Sequence, residues 1–92
     1  MQPFWENDVE VLEEVIETDV FNLVVFNDDV NTFDYVIDTL VEVCEHTPEQ
    51  AEQCTLIIHY KGKCTVKNGS WEDLVPMRNE ICRRGISAEV LK

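Results

Sequence analysis

Phe21-Asn22-Leu23-Val24-Val25-Phe26 runs straight into Asn27-Asp28-Asp29. Side chains that are aromatic or branched at Cβ fit a pleated surface, so the first six residues predict a central strand. The three polar residues that follow favour a turn and entry into a helix. From this strand end the rest of the chain can be laid out in both directions.

Downstream, apolar residues at 33, 36, 37, 40, 41 and 44 recur with the helical period. Asn31 or Thr32 can cap that helix by accepting its unpaired backbone N–H groups. Thr47-Pro48-Glu49-Gln50 signals a second helix more sharply: a capping hydroxyl, proline at the first helical position, and glutamine three residues after the cap. This helix runs through Ala51, Cys54, Leu56, Ile57 and Ile58 to His59 and Tyr60, and Gly62 ends it in a left-handed cap. Cys64-Thr65-Val66 reads as a short strand and Asn68-Gly69 as a turn. A third helix carries Trp71, Leu74, Val75, Ile81 and Cys82 inward. Ser70 or Asp73 can cap it, and Pro76 favours a start near Asp73 or a distorted first turn. Arg83-Arg84-Gly85 stops it, and Ile86 to Leu91 form a last strand. The expected architecture is α+β, in the order β-α-α-β-α-β, with three helices covering a small three-stranded antiparallel sheet.

Upstream, residues 1–19 read as a flexible acidic extension, leaving residues 20–92 as the core domain. Glu6, Asp8, Glu10, Glu13, Glu14 and Glu17 alternate there with Val9, Leu12, Val15 and Ile16, which could line one face of a short helix. The first residues have neither a basic start nor an apolar run, so no signal peptide is expected, and no stretch approaches the length of a membrane span. A cytoplasmic location follows as the expectation, with reduced thiols.

The 92 residues allow one small domain. Nineteen acidic residues against seven basic ones give a formal charge of −12, which disfavours nucleic acid and anionic membranes as partners and favours cationic groups, amines included. The four cysteines, at 44, 54, 64 and 82, include no CxxC pair. A thiol hydrolase built on Cys54 or Cys64 with His59 lacks a third orienting group. Cys44, His46 and His59 have no spacing that preforms a metal site. No cofactor or metal is expected, and no enzymatic activity.

Two places combine acceptors in a way that suits a protonated amine: Asn27, Asp28 and Asp29 at the end of the first strand, and His59 at the end of the second helix. Such an amine carries only donors, and a charge-assisted bond to it contributes about 1.5–3 kcal/mol. By residue type alone, turn and cap chemistry explains the same Asn-Asp-Asp, and a helix-end histidine commonly answers the helix dipole.

Leu23-Val24-Val25-Phe26-Asn27-Asp28-Asp29, with Tyr35-Val36-Ile37-Asp38 and Leu40 behind it, resembles the strand and first helix of the ClpS adaptor family. Ile58-His59-Tyr60-Lys61-Gly62-Lys63 resembles the end of that family's second helix. The resemblance covers roughly residues 20 to 91. It implies an adaptor that binds the free α-amino group and the large hydrophobic first side chain of N-degron substrates and delivers them to a ClpA- or ClpC-type AAA+ unfoldase, whose N-terminal domain it contacts. Asn27, Asp28, Asp29 and His59 would hold the amine, one carboxylate acting through water. Asn31, Thr32, Phe33, Val36, Thr55, Ile58 and Ala88 would line the side-chain pocket, and Glu72 would touch the unfoldase. The family usually has Thr-Pro-Met before the first helix where this chain has Asn31-Thr32-Phe33. A methionine common at the position of Thr55 and a lysine common at that of Met77 are also replaced. A general interaction module of similar fold is the alternative.

Overall fold

A computed structural model describes residues 19–92. The expectation of an acidic extension falls on residues 1–19, of which 1–18 lie outside the described residues. The elements are β1 (Phe21–Phe26), α1 (Phe33–Cys44), α2 (Pro48–Lys61), β2 (Lys63–Gly69), α3 (Trp71–Arg83) and β3 (Ala88–Leu91). The sheet order is β2-β1-β3, both pairings antiparallel. β1 is thus the middle strand of the sheet, as its composition predicts.

Alternation along β1 sends Leu23 and Val25 inward, and both are fully buried. They meet Leu40 and Cys44 of α1, Ala51 and Ile58 of α2, Val66 of β2, Leu74 and Ile81 of α3, and Ile86 and Ala88 near β3. Each large apolar side chain removed from water contributes about 1.5–3 kcal/mol, so every element holds a share of one core.

All three helices among the described residues are capped at the N-terminus by a hydroxyl. Thr32, Thr47 and Ser70 accept from the backbone N–H of Tyr35, Gln50 and Asp73. Ser70 therefore starts α3 at Trp71, two residues before the expected start at Asp73. Pro76 lies inside the helix, where it forgoes the bond to the carbonyl of Glu72; that residue is exposed, so water can serve it. Trp71, expected inward, is half exposed and meets Phe21 edge-to-face with ring centroids 5.4 Å apart.

β2 is longer than its sequence suggests. Asn68 and Gly69, expected as a turn, pair with Asn22 and Phe21 across the sheet. The register shifts between Leu23 and Val24, which face Lys67 and Thr65, so Val66 is the extra residue of a bulge. The carbonyl of Val66 lies 2.7 Å from Nε2 of His46, a residue buried in the α1–α2 connection. Nδ1 of that ring is buried without a hydrogen-bond partner, so the tautomer with hydrogen on Nε2 is the one that donates to Val66.

Candidate functional site

The site begins where β1 ends. The backbone N–H of Phe26 donates to the carbonyl of Ser87 at 3.0 Å, and that of Asn27 donates to the carbonyl of Gly62 at 2.9 Å. The second bond ties the end of β1 to the C-terminal cap of α2. Gly62 has φ of +95°, a left-handed conformation that glycine adopts without the strain of a Cβ, and its own N–H donates to Ile58. The backbone of Asn27 is thereby fixed to Gly62, three residues after His59.

Asp28 and Asp29 differ in their surroundings. One Asp28 oxygen accepts from the backbone N–H groups of Val30 at 2.9 Å and Asn31 at 2.8 Å. The other accepts from the Asn31 side chain at 2.8 Å. Desolvation raises the Asp28 pKa, but the bonds from Asn31 and Val30 outweigh it and hold the carboxyl below its ordinary value. Asp29 is exposed and accepts no hydrogen bond among the described residues. The Asn31 amide also donates to the carbonyl of Gly85 at 2.9 Å, and the Tyr35 hydroxyl to the carbonyl of Arg84 at 2.8 Å. These two bonds fasten the loop and the start of α1 to the end of α3.

His59 is exposed on the last turn of α2. Its ring stands edge-to-face with Phe33 of α1, centroids 6.4 Å apart, and with Tyr60 at 4.9 Å. Phe33 is itself partly exposed. The first turn of α1 and the last turn of α2 thus meet at this aromatic contact, with Asn27 anchored one residue past the helix end.

The residues expected to line a side-chain pocket divide into two groups. Thr55, Ile58 and Ala88 are buried, and Val36 packs against the same core. The Thr55 hydroxyl donates to the Ala51 carbonyl at 2.8 Å, so its hydrogen is spent within the helix. Asn31, Thr32 and Phe33 lie nearer the surface. Asn31 is committed to Asp28 and Gly85, and Thr32 to its cap. Glu72 stands apart from all of these, exposed in the first turn of α3, while Met77 packs against the core. Sequence reasoning missed Tyr35, Arg84 and Gly85 as supports. Their partners are some fifty residues away, and no local pattern marks them.

The alternative chemistries find little in the geometry. Burial, with Cys54 alongside, pushes the Cys64 thiol up to about 11, the wrong direction for a nucleophile. Cys44 is fully buried and its thiol is pushed up to about 11 by desolvation. No three metal-ligating side chains gather among the described residues, and no described helix is long and apolar enough to cross a membrane.

A family model described as "ATP-dependent Clp protease adaptor protein ClpS" matches residues 16–89. A ClpS adapter protein of Nitratidesulfovibrio vulgaris (strain Miyazaki F) is 39% identical over 57 residues, which is 60% of this chain and 57% of that protein. One from Campylobacter jejuni (strain 81-176) is 37% identical over 46 residues, half of this chain and 48% of the relative. The matched stretch is thus less than two thirds of either relative. Agrobacterium tumefaciens ClpS2, solved bound to L-phenylalaninamide, superimposes with a TM-score of 0.74 over 77% of this chain and 93% of its own, at 14% identity, a likeness of fold. Family match, element order and sheet topology agree: this chain belongs to the ClpS family of ATP-dependent Clp protease adaptors.

Proposed function

We propose that this chain captures the N-terminal residue of N-degron substrates and hands them to a ClpA- or ClpC-type AAA+ unfoldase in the cytoplasm. The observation that supports this reading is the bond from the Asn27 N–H to the Gly62 carbonyl, which ties the backbone at the end of β1 to a point three residues after His59. A protonated α-amine offers three donors. The Asn27 carboxamide oxygen, the Asp29 carboxylate and a neutral His59 nitrogen offer three acceptors. Asp29 suits direct or water-mediated contact because its oxygens carry no internal bond, whereas Asp28 shapes the turn that presents it.

The first side chain would enter beside Phe33, over Val36, Thr55, Ile58 and Ala88, with Asn31 and Thr32 at the rim. That a fold neighbour is bound to L-phenylalaninamide, an α-amine with a benzyl side chain, supports this class of ligand. Glu72, exposed at the start of α3, is the residue we assign to unfoldase contact.

Fluorescent peptides differing only at the first residue test the proposal. Leu, Phe, Tyr or Trp at the first position should bind, and Asp or Gly should not. Asn27→Ala and His59→Ala should each weaken the Phe peptide about tenfold or more, corresponding to about 1.5–3 kcal/mol for a charge-assisted bond. Equal binding of all peptides would instead favour a general interaction module.

A further inference from the structure

Cys54 of α2 and Cys64 of β2 face one another across the junction of the two elements. Along α2, Cys54, Ile57 and Lys61 follow at helical spacing and share one stripe. Ile57 and Lys61 line a cavity of about 500 Å³, and Cys64 lines it from the strand side. Across the sheet Cys64 is the partner of Val25, which is fully buried, so its side chain lies on the face that the helices cover. The two thiols come within hydrogen-bond reach of each other. Both are half-buried and pack against the core, and the Cys64 thiol also donates to the exposed carbonyl of Thr65 at 3.4 Å.

The other two cysteines are placed differently. Cys44 is fully buried, and Cys82 on α3 donates to the carbonyl of Ala88 at 3.6 Å. Cys64 is therefore the cysteine that lines an open cavity with a second thiol beside it. Capture of an amine by Asn27, Asp29 and His59 uses neither thiol.

We propose that Cys54 and Cys64 are a dithiol modification site, which closes to an intramolecular disulfide by exchange with a small-molecule disulfide, RSSR. One cysteine thiolate attacks a sulfur of RSSR, breaking its S–S bond and releasing RS⁻. The second thiolate attacks the protein-bound sulfur, forms the Cys54–Cys64 bond and expels the other RS⁻. The two cysteine protons end on the released thiols, so the protein loses two electrons and RSSR gains two. Burial, with Cys54 alongside, pushes the Cys64 thiol up to about 11, which keeps thiolate scarce near neutral pH and makes exchange slow. It also leaves the reduced pair without a stabilised thiolate, so the bond resists reduction once formed. Residues 54–64 then become a closed ring that contains Thr55, Ile58 and His59. Resting on the proposed capture reading, closure weakens peptide binding, because drawing two sulfurs from contact to bonding distance moves the part of α2 that carries those residues.

The test is peptide mass mapping of the full chain, reduced and then incubated with oxidised glutathione at neutral and at alkaline pH. The expected product is a Cys54–Cys64 link, lighter than the reduced chain by two hydrogens and formed faster at alkaline pH. Cys54→Ser should stop at a mixed disulfide carrying glutathione on Cys64. Phenylarsine oxide, which bridges neighbouring thiols without oxidising them, should bind the unmodified chain and neither Cys54→Ser nor Cys64→Ser. Stable glutathione adducts on both residues, or a bond from Cys54 to Cys44, would overturn the proposal. Anisotropy with a Phe-initiated peptide reads the consequence: closure should lower affinity and reduction should restore it, and unchanged affinity would contradict the link to capture. A reduced chain that binds no peptide would strike the capture reading alone, since mass mapping decides the disulfide independently.

Discussion

Asp28 and Asp29 are adjacent carboxylates in different surroundings, and on the proposed reading substitution should separate them. Asp28→Ala removes three hydrogen bonds from the turn after β1 and should lower stability by about 1–2 kcal/mol in urea unfolding, as loss of a capping side chain does. Asp29→Ala touches no such bond; it should leave the unfolding midpoint unchanged and weaken binding of a Phe-initiated peptide. Acid should act on stability. Because the folded-state pKa of Asp28 lies below its ordinary value, its stabilisation is present above the usual carboxylate range and is lost as pH falls through the folded-state value. Hydrogen bonds from Arg83 and Arg84 hold Glu80 at about 2, so the same sign applies there. Unfolding midpoints measured from neutral pH down should fall through this window, and Glu80→Gln should flatten the fall.

Among the elements, local signals were legible and cross-strand ones were not. Thr47-Pro48 and Gly62 mark both ends of α2 because caps are written within a few residues. Thr32 and Gly85 could be read for the same reason. Asn68-Gly69 carries the composition of a turn, yet it ends a strand, since pairing with Phe21 and Asn22 extends β2 beyond its own propensity. Pro76 pointed to a later start for α3, but the Ser70 cap outweighs the one bond that proline removes. The candidate site was legible as residue types, Asn27 and His59 above all. The bond that ties the end of β1 to the end of α2, from Asn27 to Gly62, and those that fasten the loop and α1 to the end of α3, Asn31 on Gly85 and Tyr35 on Arg84, connect distant parts of the chain and have no sequence pattern. Gly62→Ala tests the hinge of this arrangement. A Cβ there meets nothing within 4 Å, so its cost is the left-handed backbone alone, about 1–2 kcal/mol in urea unfolding. Amine binding should fall with it.

The described residues rest on one core, to which all six of their elements contribute. A domain this size has only about 5–15 kcal/mol of stability in total. Ile81→Ala, at a fully buried position on α3, should cost about 2–5 kcal/mol and shift the unfolding midpoint markedly. The same core joins the Phe33–His59 corner to α3, where Glu72 is exposed at the far end from the Arg84 and Gly85 carbonyls that anchor Tyr35 and Asn31. On the proposed reading, the capture corner and the unfoldase surface would share that core. The central claim is that the free α-amine is the group recognised. It is tested most directly by fluorescence anisotropy with a Phe-initiated peptide and its N-acetylated twin. The account predicts binding of the free-amine peptide and loss of binding, by tenfold or more for each charge-assisted bond lost at about 1.5–3 kcal/mol, on acetylation. Equal affinity for the two peptides would contradict it.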